Sequence, residues 1–69
     1  MEEFLNKFCY IAVNVHGNDL YYLCAKVTNI TDTHISFEDT IKNNEGHCYR
    51  KIDIVEIKLS TRGEEKWKQ

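Results

Sequence analysis

Residues 25–39, AKVTNITDTHISFED, carry the pattern that decides the fold. Ala25 and Val27 alternate with Lys26 and Thr28, and Ile35 and Phe37 alternate with Ser36 and Glu38. A period of two places one apolar and one polar face on each segment, which is the signature of a strand half-buried in a sheet. Thr31, Asp32 and Thr33 lie between them, and their side chains suit a tight turn because they can bond to nearby backbone N–H groups. A lone hairpin is marginal in water, so the rest of the chain has to cover its apolar side.

Upstream, residues 9–15 alternate in the same way, with Cys9, Ile11, Val13 and Val15 on one side. A turn is expected at residues 16–19, where Gly17 and Asn18 tolerate positive φ. Residues 20–30 then form one long strand, with Tyr21, Leu23, Ala25 and Val27 expected on one face and Tyr22, Cys24, Lys26 and Thr28 on the other. A strand of that length bends in a small barrel so as to serve both sides. Before all this, residues 1–7 read as a short helix with Glu2 and Glu3 at its positive end and Phe4, Leu5 and Phe8 at helical spacing.

Downstream, residues 40–47 are a polar loop with Asn43, Asn44 and Gly46 as turn formers. Residues 48–51 make a short fourth strand, Ile52 and Asp53 a sharp connection of a single helical turn, and residues 54–59 a fifth strand. Residues 60–69 are a charged tail in which Trp67 is the one large apolar residue. A short helix followed by five short strands predicts a mainly β domain over residues 1–59, a small antiparallel barrel, with residues 60–69 as an appended tail. The expected core is Leu5, Ile11, Val13, Val15, Leu23, Val27, Ile30, Ile35, Phe37, Ile54 and Ile57.

Composition narrows the function classes. The chain has 69 residues, nine Lys and Arg against eleven Asp and Glu, and a net charge of −2. No basic stripe of the kind that grips duplex phosphates runs along it, although Arg50, Lys51 and Lys58 offer a local patch. Residues 1–8 hold two glutamates and no long apolar run, and no window approaches the ~18 apolar residues of a membrane span. The expectation is a cytoplasmic protein without a membrane partner, whose three cysteines, Cys9, Cys24 and Cys48, are reduced thiols.

With the segments in this order, the chain resembles the Sm-like family, the small SH3-like barrels that include bacterial RNA chaperones of the Hfq type. The resemblance runs from Glu3 to about Leu59. It rests on the opening Phe4-Leu5-Asn6-Lys7 and the first strand. It also rests on the step Ala25-Lys26-Val27-Thr28-Asn29-Ile30 leading to a strand that ends Phe37-Glu38-Asp39, and on Tyr49-Arg50-Lys51-Ile52-Asp53-Ile54-Val55-Glu56-Ile57. Ala25 and Lys51 stand where the family prefers glycine.

The resemblance implies RNA or single-stranded DNA as ligand. Thr33 and His34 would lie in the turn that meets Arg50 and Lys51, with His34 stacking on a base and Arg50 holding the turn or a phosphate. Tyr21 and Tyr22 would form a second platform, and Lys26 would add charge. It also implies a homo-oligomer built by pairing residues 48–51 of one copy with residues 54–59 of the next. The acidic balance suits, alternatively, an adaptor or small phage-type inhibitor that binds a protein partner.

Neither catalysis nor a cofactor is expected. Cys24 or Cys48 with His34 or His47 makes a nucleophile and base only on paper, since nothing in their spacing demands it. There is no C-x-x-C, and His47 and Cys48, being adjacent on a strand, point to opposite faces, so no metal site is expected.

Overall fold

The structure, a computed structural model, describes residues 1–60. Its strands are β1 (Phe8–Val15), β2 (Asn18–Ile30), β3 (His34–Asp39), β4 (Glu45–Arg50) and β5 (Ile54–Leu59). All neighbours are antiparallel, and the sheet order is β4-β3-β2-β1-β5.

Each connection has a local cause. His16 and Gly17 take φ of 52° and 79°, the doubly positive pair that matches the twist of a two-residue hairpin. Val15 therefore pairs directly with Asn18, and β2 starts two residues before the expected Leu20. At the next turn the His34 amide donates to the Thr31 hydroxyl at 3.0 Å, and the Thr31 amide donates back to the His34 carbonyl at 2.9 Å. After β3, the Asp39 carboxylate accepts from the Ile41 amide and caps a 3-10 turn, Thr40–Lys42. Asn43 and Asn44, both at positive φ, then reverse the chain, so β4 begins at Glu45 rather than at the expected Cys48.

The expected N-terminal helix is a 3-10 turn, Glu2–Phe4, with Leu5 already extended. Seven residues close too few hydrogen bonds to meet the cost of helix nucleation. The segment is held instead by β2: the Asn6 amide donates to the Val27 carbonyl at 2.8 Å and the Val27 amide to the Lys7 carbonyl at 3.1 Å. Phe4 packs against the core while Leu5, expected inside it, is exposed.

The long strand β2 is shared. Residues 18–26 pair with β1 and residues 25–30 with β3. Two irregularities lie along it. Cys9 faces Ala25 and Ile11 faces Tyr22, so two steps of β1 oppose three of β2. A bulge at Leu23-Cys24 absorbs the extra residue and bends the strand. It also reverses the expected faces: Tyr22 is 9% exposed and belongs to the core, whereas Leu23 is 40% exposed. Thr28 is a second extra residue, between the pairs Val27–Phe37 and Asn29–Ser36. On β5, Val55 is a third, between Ala12–Glu56 and Val13–Ile54.

The core is Cys9, Ile11, Val13, Tyr22, Ala25, Val27, Ile35 and Phe37, with Phe4, Ile30, Tyr49, Ile54 and Ile57 against it. Val15, also expected inside, is only half-buried.

The expected barrel is not closed. Among the described residues β4 pairs only with β3 and β5 only with β1, which leaves both as edges of one open sheet. The sheet is nevertheless rolled. Five strands laid flat would hold their outer members roughly 19 Å apart. Arg50 and Ile54, which end β4 and begin β5, are joined through the 3-10 turn Lys51–Asp53, a reach of at most ~14 Å. The curl is therefore imposed by chain connectivity and accommodated by the bulges. Beyond Ser60, the expected tail lies outside the described residues.

Candidate nucleic-acid interface

The end of the β3–β4 ladder brings four of the sequence-predicted residues to one corner. His34 at the start of β3 is the direct cross-strand partner of Arg50 at the end of β4. One step further, the Lys51 amide donates to the Thr33 carbonyl at 2.8 Å. The turn between β2 and β3 is thus tied to the turn between β4 and β5.

Side chains at this corner are constrained. The Thr33 hydroxyl lies 2.7 Å from His34 Nδ1. This contact orients an exposed imidazole and leaves Nε2 open, as a donor when Nδ1 accepts from the hydroxyl and as an acceptor when Nδ1–H donates to it. Arg50 is engaged by Asp53 across the 3-10 turn: Nε donates to Oδ2 at 3.1 Å and Nη2 to Oδ1 at 3.5 Å. Nη1 takes no part in this pair. Between them Lys51 is half-buried, and Ile52 stands 81% exposed.

The other three predicted residues are elsewhere. Lys26 lies opposite Glu38 on β3 and Phe8 on β1. That places it four residues along β3 from His34, roughly 13 Å away. Tyr21 faces Ala12 on the side of the sheet away from the core, and it is well exposed. Tyr22 is removed from any surface by the bulge. Its ring centroid lies 4.9 Å from that of Phe37 and 4.8 Å from that of His47, and its hydroxyl bonds to the Tyr49 hydroxyl. Burial, with that bond, pushes the Tyr22 phenol well above its ordinary range.

Two features were missed from sequence. Asp53 is the first, although an Arg-x-x-Asp spacing over a one-turn connection is a readable sign of an ion pair. The second is on the outer face, where Lys58 Nζ stands 5.2 Å over the Tyr10 ring and 3.5 Å from the Glu56 carboxylate. Positive charge is thus dispersed, and Arg50 and Lys58 each have an acidic neighbour within 4 Å.

Cys9 and Cys24 are buried free thiols, and Cys48 is exposed. Burial, helped by the neighbouring Cys24, pushes the Cys9 thiol up to about 11. Among the described residues no three of His, Cys, Asp and Glu stand close enough to hold a metal ion. No described helix is long and apolar enough to cross a membrane. Comparison of the chain with protein-family models, with curated proteins and with solved structures finds no match.

Proposed function

We propose that this chain is a non-enzymatic binding module of the Sm-like, SH3-like barrel kind, and that it takes single-stranded RNA or DNA at the corner formed by Thr33, His34, Arg50 and Lys51. The strand order, the rolled sheet and the one-turn link between β4 and β5 support the kinship. The observation that carries the ligand class is the direct cross-strand pairing of His34 with Arg50, which roots an imidazole and a guanidinium at neighbouring positions of one strand pair. Rings and guanidinium planes stack on unpaired bases, whereas a chain of net charge −2 has little to offer a duplex.

Fluorescence anisotropy with short U-, A- and G-rich oligonucleotides at low salt tests the reading. Binding is expected with His34→Ala weakening it by about 1–3 kcal/mol, the worth of one stacked base. Failure of every oligonucleotide to bind the native chain refutes it.

A second reading has its own observation. On and beside the unpaired β5 edge, Ile52 is 81%, Val55 67% and Leu59 61% exposed. An apolar open edge is a template for another strand. It supports a protein partner, with a second copy pairing its β4 to this β5 as the first candidate.

A further inference from the structure

Asp53 decides what Arg50 can read. A guanidinium has five N–H donors arranged on distinct edges. The Asp53 carboxylate occupies the side edge, through Nε and Nη2. The end edge, formed by Nη1–H and the second Nη2–H, remains as a two-pronged donor. The same carboxylate changes the electrostatics. For a phosphate roughly 4 Å beyond the free edge, the carboxylate lies about 7 Å away, so the inverse-distance law cancels more than half of the attraction. A hydrogen bond to an uncharged carbonyl or ring nitrogen suffers far less from that cancellation. Arg50 is paired with Asp53, and Asp32 adds a second carboxylate to the adjoining turn.

We infer that the Arg50–Asp53 pair is a base reader and not a phosphate clamp, and that it selects guanine, whose O6 and N7 present two acceptors side by side, next to the base stacked on His34. This rests on the nucleic-acid reading above and adds the specificity to it. Among the edges an unpaired base exposes, two adjacent acceptors occur on guanine (O6 and N7) and on cytosine (N3 and O2), and the guanine pair is the one an arginine fork most commonly meets. Asp53 is then a positioning residue: it fixes the guanidinium plane and lowers its pull on phosphate. The inference accounts for a net-acidic chain that binds nucleic acid, because contacts to bases replace contacts to the backbone.

The test compares oligonucleotides containing guanine with the same sequences containing 7-deazaguanine, which lacks the N7 acceptor, across a salt series. The native chain is expected to prefer guanine on the order of tenfold, with a shallow dependence on salt. Asp53→Asn keeps the shape and removes the charge. It is expected to bind all sequences more tightly at low salt, with a steeper salt slope and a reduced preference. Arg50→Lys keeps the charge and removes the fork, and is expected to lose the preference while retaining salt-sensitive binding. A native chain with no preference, or an Asp53→Asn chain with unchanged slope and preference, overturns the inference while leaving the binding reading in place. Absence of all binding by the native chain removes both.

Discussion

Tyr22 is the residue on which the interior turns. Its ring fills the space between Phe37 and His47, and its hydroxyl is satisfied by Tyr49, so a large aromatic with a polar tip is buried without an orphaned donor. Truncation to alanine removes most of that ring and costs about 3–5 kcal/mol by analogy with other buried aromatics. A domain this small holds on the order of 3–10 kcal/mol in all. Tyr22→Ala is therefore expected to be largely unfolded or to melt far earlier, and Leu23→Ala, one residue on but outside, is expected to change stability by less than about 1 kcal/mol. Thermal melts followed by circular dichroism check both, and equal losses would contradict the bulge.

Cys9 makes a second expectation at the same scale. Its folded-state pKa is raised, so the unfolded chain ionises first as pH climbs. Stability from this group is fully present below the ordinary thiol value of 9.0 and is lost as pH rises through about 11. Denaturant midpoints measured between pH 8 and 11 are expected to fall across that window, and less steeply in Cys9→Ala. Thiol alkylation adds a direct reading, with Cys48 reacting fast and Cys9 and Cys24 slowly.

Among the elements, β5 combines two roles that rarely coexist comfortably. Its inner residues, Ile54 and Ile57, pack on the core through β1, while its free edge carries Val55 and Leu59 in water. Lysine on a free edge discourages strand addition. Val55→Lys and Leu59→Lys together are expected to leave the melting temperature within a few degrees of native and to shift light scattering at high concentration toward the 8.2 kDa monomer. A native chain that already scatters as that monomer at high concentration removes the self-pairing reading. β3 and β5 are also the elements whose bounds could be read in advance. Alternation is unbroken along β3, and in β5 it runs from Val55, the extra residue near its start, to Leu59. The start of β4 is hidden because Glu45-Gly46-His47 has no apolar alternation; ladder bonds to β3 and the packing of the His47 ring on Tyr22 and Phe37 hold it in place. β2 was located correctly and faced wrongly over its first half. Period counting assumes one residue per rung, and a bulge breaks that assumption without leaving a mark in composition.

For the molecule as a whole, the same distinction separates what was legible in the candidate site. Turn chemistry places Thr33 and His34 at the start of β3, whereas their meeting with Arg50 and Lys51 is an expectation that comes from the family resemblance and depends on the β3–β4 register. Lys26 and Tyr21 depend on where the rolled surface turns, and Tyr22 on the bulge, which only the three-dimensional ladder reveals. The closed barrel was likewise an extrapolation from strand count. Five strands and a short bridge demand a roll, but sealing the seam needs hydrogen bonds between β4 and β5, and the chain carries Ile52, Val55 and Leu59 there, exposed.

The extra residue at Leu23-Cys24 has a consequence at a distance. Excising Leu23 would restore one-to-one rungs from Cys9 to Ile11 and would keep Tyr22 and Ala25 on the side they already occupy. The core would lose no atom, yet the strand would straighten. The three-residue bridge between Arg50 and Ile54 would then be left with two of the three irregularities that bend the sheet toward it. An exposed leucine on the second strand thus acts as slack for a joint at the far end of the chain.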